Sequence, residues 1–189
     1  MTYDSLLELC RSRHSCRNFS ADPLPEGTAE RIMELVGTSP FASGRKSWKV
    51  AIVEDPAQKK ELVRAVKEEI DRLCASMEEE AAAFFSHYAE SFYFFEKAPL
   101  VMIPYCRETS TMKSLLRESV TPELLQWEHD TLVKSLSCIA TYILLAAESL
   151  GLGACYMTGP LAASPALRGI LGLRENMIIG AIIPIGYKG

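Results

Sequence analysis

Several features that mark large classes of protein are missing from this chain of 189 residues. Lys and Arg number 20 against 24 Asp and Glu, so the chain lacks the basic excess of a nucleic-acid binder. Its most apolar stretch, Cys138 to Ala147, covers ten residues and falls short of the roughly 20 that a membrane span needs. We therefore expect neither nucleic acid nor a membrane as a partner.

Cysteine and glycine motifs are also absent. The six cysteines form no Cys-x-x-Cys pair and no Cys/His spacing of the zinc type, so we predict no metal site and treat them as small core or surface residues. No signal-peptide pattern is present, which favours a cytoplasmic location. No Gly-x-Gly-x-x-Gly follows a strand, which argues against a separate dinucleotide-binding domain. Length and 48% apolar content predict one domain, residues 1–189.

A local cluster of cations is present instead. The segment Arg11-Ser-Arg-His-Ser-Cys-Arg17 holds three arginines, a histidine and two serines. Guanidinium forks and hydroxyl groups suit a phosphate, so the segment predicts an anion site. The competing interpretation is that Arg13 and Arg17 form surface ion pairs with the many glutamates, and His14 by itself favours neither interpretation.

Hydrophobic periodicity predicts the order of the elements. A first helix ends near the arginine cluster, a second starts at Pro25 and ends in a left-handed cap at Gly37, and a third begins after an Asp55 N-cap. From Pro122 a long helix, apolar on nearly all sides, should be central and buried, and a small helix follows with Ser164 as its N-cap. Four strands are predicted at residues 48–53, 100–105, 154–157 and 177–185.

The last predicted strand has two special features. Pro184 removes one donor of the hydrogen-bond ladder and predicts an edge or a bulge. No covering element follows this strand, so we expect it to be exposed and able to pair with another chain. Short strands among longer helices predict an α+β fold in which helices cover both faces of a small sheet.

These pieces, taken in order, resemble a known family. Arg13-His-Ser-Cys-Arg17-Asn-Phe19, the Ser39-Pro40 loop, Trp48 at the start of a strand, the helix ending in Gly151-Leu-Gly153 and the strand Ile182-Ile-Pro-Ile-Gly-Tyr187 resemble the FMN-dependent nitroreductase family. The resemblance implies a three-layer α/β/α sandwich around a mainly antiparallel sheet. It also implies a homodimer that exchanges its termini and binds FMN at the subunit interface.

The resemblance also implies roles for individual residues. Arg13 and Ser15 match phosphate and ribityl contacts, His14 another direct contact with the cofactor, and Arg17 a contact near the polar edge of the flavin. Thr158 and Gly159 match a turn whose backbone N–H groups approach the flavin. A loop that the partner subunit lays against the flavin is matched by Phe41, Ala42, Ser43 and Gly44.

Two departures from the family pattern concern the same site. Gly44-Arg-Lys-Ser-Trp48 lacks the Asn and the Gln-Pro pair that many members carry before the Trp. Relatives also commonly continue beyond the final strand into a basic tail that reaches the phosphate, where this chain has Tyr187-Lys-Gly189. We expect Lys188 to take over part of that role, with Arg45 or Lys46 as further sources of positive charge.

By this resemblance the protein is an FMN-dependent NAD(P)H oxidoreductase. Hydride from NADH or NADPH would pass through flavin N5 to a small acceptor such as a nitroaromatic or a quinone, by ping-pong chemistry that needs no catalytic side chain. The aromatic run Phe92 to Phe95 is interpreted as core, with the lining of a substrate pocket as the alternative. Two rival functions remain: a flavin-binding carrier or sensor without efficient turnover, and a scaffold without cofactor.

Overall fold

The computed structural model describes residues 2–42, 47–109 and 111–189. In this part of the chain a five-stranded sheet lies between helices. The strands are β1 (Trp48–Val53), β2 (Leu100–Arg107), β3 (Gly153–Ala154), β4 (Met177–Ile179) and β5 (Ile183–Gly186). The helices are α1 (Tyr3–Ser12), α2 (Thr28–Val36), α3 (Pro56–Cys74), α4 (Glu79–Ala89), α5 (Thr111–Leu116), α6 (Pro122–Ser149) and α7 (Ser164–Ile170).

The sheet is antiparallel in all of its strand pairs, with the order β1-β2-β5-β3 and with β4 also paired to β2. The pleat of β2 sends Leu100 and Met102 into one core with α2 and α6, and Val101 and Ile103 into a second core with α3 and α7. Helices therefore cover both faces of the sheet. The predicted α+β class and the three-layer sandwich are confirmed.

The long helix α6 differs from its prediction. Thr121 caps its N-terminus, and Pro122, where the helix was predicted to begin, occupies its first turn. The helix is apolar, but it is not buried on all sides, because only 39% of its most apolar 18-residue stretch is buried. A face with Val133, Cys138 and Thr141 remains exposed. By length and composition alone, α6 also passes as a membrane span, but nine of its residues are buried, and the helix packs against the sheet and α2.

The predicted last strand is divided in two. The β2 partner of Ile179 is Tyr105 and that of Ile183 is Met102, so four steps along one strand match three along the other. One extra residue in that stretch is a β-bulge, and it separates β4 from β5. The prediction of four strands was therefore wrong by one.

The expected exposure of this strand was also wrong. β5 lies inside the sheet between β2 and β3, and Tyr187 continues it by accepting a bond from the Ser20 N–H. The Pro184 carbonyl accepts from Cys155 N at 3.3 Å, so the missing donor of Pro184 faces the same side as β3. The pairing is interrupted there after Ala154 and resumes at Met157 and Ile182.

Three helix ends differ in detail. α2 begins at Thr28, after Gly27 at a φ of 79°, and not at Pro25. Gly37 at its C-terminus keeps right-handed backbone angles, with a φ of −58°, so the predicted left-handed cap is wrong. Ser164 lies inside α7 and donates to Leu161 O rather than capping the helix.

Candidate functional site

The site is built around residues 13–17, which we call the arginine segment. α1 ends at Ser12, and the backbone of Arg13 is already extended. Ser15 forms a parallel bridge with Ala154, and Cys16 N donates to Ala154 O at 3.0 Å. Because successive side chains of an extended strand point to opposite sides, Cys16 is buried while Arg13, Ser15 and Arg17 share the other side. The segment thus acts as an added strand beside β3.

The Gly-Leu-Gly sequence after α6 makes this pairing possible. Gly151 has a φ of +75°, its N–H bonds to Glu148 O, and Leu152 N bonds to Ala147 O, which together form a Schellman cap. The cap turns the chain from α6 into β3. Gly153 then needs to lack a side chain, because a Cβ there would lie 2.7 Å from both Cβ and Sγ of Cys16. Gly151 is therefore favoured by its left-handed backbone angle, and Gly153 by its close contact with Cys16.

Two cavities open beside the arginine segment. The first lies between Arg13 and Ser15 on one side and the exposed face of α6 on the other, where Thr141 contributes to the wall. The second, a cleft of about 270 Å³, is lined by Arg17 together with Thr158 and Gly159. Tyr156 lines both cavities, so they flank one continuous strip of surface.

The side chains of Arg13 and Arg17 have no partner in the described part of the chain. Among the residues that the structure describes, the guanidinium groups of Arg13 and Arg17 form no ion pair and no side-chain hydrogen bond. The alternative interpretation, surface pairing with glutamates, is therefore not what the described chain shows. Arg11 lies apart from them, in a groove of α1 with Asp4 and Glu8. Of the three arginines in the sequence cluster, Arg13 and Arg17 thus line the two cavities beside the arginine segment, and Arg11 does not.

Cys155 is a residue that sequence reasoning missed. Its thiol is buried beside Ser15, Arg13 and Arg17. Burial raises the pKa of this thiol, and the opposing effects of the Ser15 hydrogen bond and the two arginines do not cancel that rise. The group is therefore a neutral thiol at physiological pH. A lone cysteine without a motif gives no signal in the sequence, and only the pairing of residues 13–17 with β3 places it here.

The turn at Thr158 and Gly159 leads into a short 3-10 helix, Gly159–Ala163. Backbone N–H groups at the start of such a helix have no partner within it, and both residues line the cleft. Gly159 also packs closely, because a Cβ there would lie 2.1 Å from the Phe92 ring. Its missing side chain is thus required by Phe92, independently of any ligand.

The aromatic run is divided between two roles. Phe92 and Phe95 are buried in the second core, in line with the interpretation as core. Phe94, Tyr88 and one side of Phe92 line the cleft with Arg17. The cleft that Arg17 lines therefore has an aromatic and partly apolar wall.

The remaining predicted residues lie at different distances from this centre. The exposed His14 has Nδ1 at 3.0 Å from Ser12 O. Lys188 lies next to Gly153, but its Nζ is held by the Glu148 carboxylate at 3.0 and 3.1 Å. Phe41 and Ala42 line a separate cavity on α6, and Ala42 N donates to Ser135 Oγ at 3.1 Å. Ser43 and Gly44, like Arg45 and Lys46, lie outside the described residues.

Comparison with protein families gives one family. The model of the nitroreductase family matches residues 10–187, which is nearly the whole chain. Among curated proteins, an NADH dehydrogenase of Thermus thermophilus is 26% identical, covering 93% of this chain and 82% of that protein. An iodotyrosine deiodinase of Drosophila melanogaster is 27% identical, and the match covers 96% of this chain but only 62% of the deiodinase.

Solved structures agree on the fold. A BluB-like flavoprotein from Clostridium difficile superimposes with a TM-score of 0.83 at 16% identity, covering 97% of this chain and 90% of the other. A nitroreductase with bound FMN from Bacteroides fragilis gives a TM-score of 0.73 at 20% identity, over 97% and 88% of the two chains. At such identities the likeness establishes the architecture, and the bound FMN is a property of that neighbour.

Proposed function

The chain belongs to the nitroreductase family, and from this premise we propose that it binds FMN and works as an FMN-dependent NAD(P)H oxidoreductase. One observation carries the proposal. Arg13, Ser15 and Arg17 stand on one side of a strand-like segment, and the two guanidinium groups have no counterion among the described residues. Such a row of donors suits the phosphate of FMN.

The rest of the site fits the other parts of the cofactor. The backbone donors of Thr158 and Gly159 can bind the polar edge of a flavin, and the aromatic wall with Tyr88 and Phe94 suits a planar ring system. Arg17 lies in this cleft and supplies positive charge near that edge. The neutral thiol of Cys155 adds no negative charge that would oppose an anionic cofactor. His14 is retained as a further contact of the site.

When bound, FMN supplies the redox chemistry, in that it accepts hydride from NADH or NADPH and passes it to a small acceptor. The protein's contribution is then position and charge. Arg13 and Ser15 hold the phosphate end, and the turn at Thr158 holds the ring edge in a fixed orientation. No side chain needs to transfer a proton, so the proposal assigns no catalytic residue.

We propose further that the functional unit is a homodimer with exchanged termini and with the cofactor at its interface. The two cavities that flank the arginine segment are both open to solvent, so a second chain is needed to cover a bound cofactor. The exposed face of α6 borders the cavity of Arg13 through Thr141. Phe41 and Ala42 line a different cavity in their own chain, so their contact with the flavin, and that of Ser43 and Gly44, is proposed for the partner subunit's cofactor.

The electron acceptor is proposed as a small molecule such as a nitroaromatic or a quinone. Members named NADH dehydrogenase, iodotyrosine deiodinase and BluB-like flavoprotein share this fold, so the fold by itself does not select an acceptor. A cytoplasmic location remains part of the proposal. It is supported by the six cysteines, all of which are free thiols.

Two measurements on the purified protein test the proposal. Titration with FMN, followed by flavin fluorescence, should give a saturable complex with one FMN per chain. Anaerobic addition of NADH or NADPH should then bleach the absorption of the bound flavin within seconds to minutes. A flavin that binds but stays oxidised would favour a carrier or sensor. If the protein does not bind FMN at all, the proposal is contradicted and a scaffold without cofactor is favoured.

A further inference from the structure

A second group of cations lies at another part of the sheet. Lys49, Arg107 and Arg174 line one cavity of about 360 Å³, together with Ser47, Tyr105, Gly172, Leu173 and Met177. We call this the basic cavity. None of its residues lines either cavity at the arginine segment. The site proposed for FMN therefore does not explain it.

The pleat of the sheet sets the positions of two of these cations. Lys49 lies opposite Tyr105 in the β1–β2 register, and Arg107 lies opposite Met177 in the β2–β4 register. Tyr105 and Arg107 are two residues apart on β2 and share a face. Lys49 and Arg107 are thus diagonal neighbours on the adjacent strands β1 and β2, with their Cα atoms about 7–8 Å apart.

A helix cap delivers the third cation. α7 ends in a Schellman motif, in which Gly172 N bonds to Gly169 O and Leu173 N bonds to Arg168 O. Gly172 has a φ of +64°, which turns the chain back across the end of the sheet. Arg174 follows directly and joins the wall of the cavity. β1, β2 and the turn after α7 therefore each bring one cation to the basic cavity.

The charges of the basic cavity are not balanced within the described residues. Lys49, Arg107 and Arg174 form no ion pair or side-chain hydrogen bond there, and Glu108, beside Arg107, is paired with His129 at 3.1 Å. Glu175 follows Arg174 in sequence but does not form an ion pair with it among the described residues. Like charges on neighbouring strands repel one another, and a net charge of −4 makes an accidental excess of cations less expected.

We propose that the basic cavity binds a phosphate monoester. Two guanidinium forks and an ammonium group provide the charge for a dianion, and the hydroxyl groups of Tyr105 and Ser47 add neutral donors at the same wall. The cavity is open, which suits one end of a larger molecule as well as a small phosphate compound. This site is independent of the arginine segment and of FMN.

Calorimetric titration with inorganic phosphate, on protein saturated with FMN, tests the proposal. FMN occupies the arginine segment, so binding of phosphate with a dissociation constant below about 1 mM reports the basic cavity. Arg107→Gln and Lys49→Gln should each weaken it at least tenfold, while Arg11→Gln, at a groove outside both sites, should leave it within twofold. Circular dichroism confirms that each variant is folded.

Three results would overturn the inference. The first is phosphate binding that is unchanged in both Arg107→Gln and Lys49→Gln. The second is binding that disappears in Arg13→Ala protein but persists in Arg107→Gln protein, since phosphate would then occupy the arginine segment. The third is a binding heat of the same size when chloride replaces phosphate as the titrant at matched ionic strength, which would show general ion association and no phosphate site.

A second titration distinguishes the source of the phosphate, and this arm alone rests on the proposed nicotinamide chemistry. If the 2′-phosphate of NADPH occupies the cavity, NADP⁺ should bind FMN-loaded protein at least tenfold more tightly than NAD⁺, and Arg107→Gln should remove the difference. If the two nucleotides bind alike while inorganic phosphate still depends on Arg107, the ligand is a separate phosphorylated compound. If the protein does not bind FMN, the proposed function is rejected. The phosphate site can still be tested in that case, by titrating cofactor-free Arg13→Ala protein with phosphate.

Discussion

The arginine segment and the basic cavity both gather cations that have no counterion among the described residues, yet they are built in opposite ways. The arginine segment takes all its charge from five consecutive residues that pair with β3. The basic cavity takes its charge from β1, β2 and the turn after α7, at positions 49, 107 and 174. Continuous chain gives the first its spacing through the alternation of a strand, whereas strand register and a helix cap give the second its spacing.

The difference has a consequence for function. Arg13 is half-buried at the first site, and Arg17 shares its cleft with the turn at Thr158 and an aromatic wall, so an extended ligand can make polar and apolar contacts there. Lys49, Arg107 and Arg174 are all exposed, so the second site relies on charge. We therefore expect the first to bind a whole cofactor and the second to bind one phosphate group. Four measurements test this contrast, in order of decreasing effect.

Gly153→Ala should give the largest effect. The new Cβ would meet Cys16 at 2.7 Å and push the arginine segment away from β3. We expect a loss of about 1–3 kcal/mol in the free energy of unfolding, measured with urea, and a loss of FMN binding. Gly169→Ala is the matched control, because nothing lies within 4 Å of its Cβ and α7 should gain about 0.5–1 kcal/mol. An unchanged FMN affinity in Gly153→Ala would separate the segment from the cofactor.

Arg13→Ala should weaken FMN binding about 10- to 150-fold, which is the range for one hydrogen bond to a charged group. Arg17→Ala should lose less, since Arg17 is more exposed. Fluorescence titration gives both values, and Arg107→Ala is the reciprocal control, expected within threefold of the unmodified protein. The contrast between the two regions breaks down if Arg107→Ala costs as much FMN affinity as Arg13→Ala.

Salt should separate the two regions by a smaller margin. The screening length falls from about 10 Å at 0.1 M salt to about 3 Å at 1 M. Phosphate in the exposed basic cavity should therefore lose about tenfold in affinity over this range. FMN should lose less, because its ring contacts do not depend on charge. Parallel titrations at several NaCl concentrations measure both slopes, and equal slopes would contradict the distinction.

Lys188→Ala should have the smallest effect, within about threefold on FMN affinity. Its Nζ is bound to the Glu148 carboxylate, whose side chain is only 8% exposed, so leaving that partner would strand a buried charge. The same FMN titration measures the change. A loss of tenfold or more would show that the lysine leaves Glu148 and contacts the cofactor, as the sequence led us to expect.

The described elements show why some predictions held and others failed. The helix starts at Asp55-Pro56 and at Pro122 are local signals, and the structure confirms them. The position of β5 inside the sheet depends on pairing with β2, about 80 residues away in sequence, and no local pattern reveals it. The exposed face of α6 was missed for a similar reason, because composition measures how apolar a helix is and not what covers it.

The sequence by itself determined the family, the sandwich class and the identity of the arginine segment, because these depend on short-range order along the chain. Spacing within residues 13–17 already aligns Arg13, Ser15 and Arg17 once the backbone is extended. Only the tertiary structure decided that Arg11 points elsewhere, that Lys188 is held by Glu148 and that Cys155 joins the site. The same holds for Lys49, Arg107 and Arg174, whose proximity results from strand register and one left-handed turn.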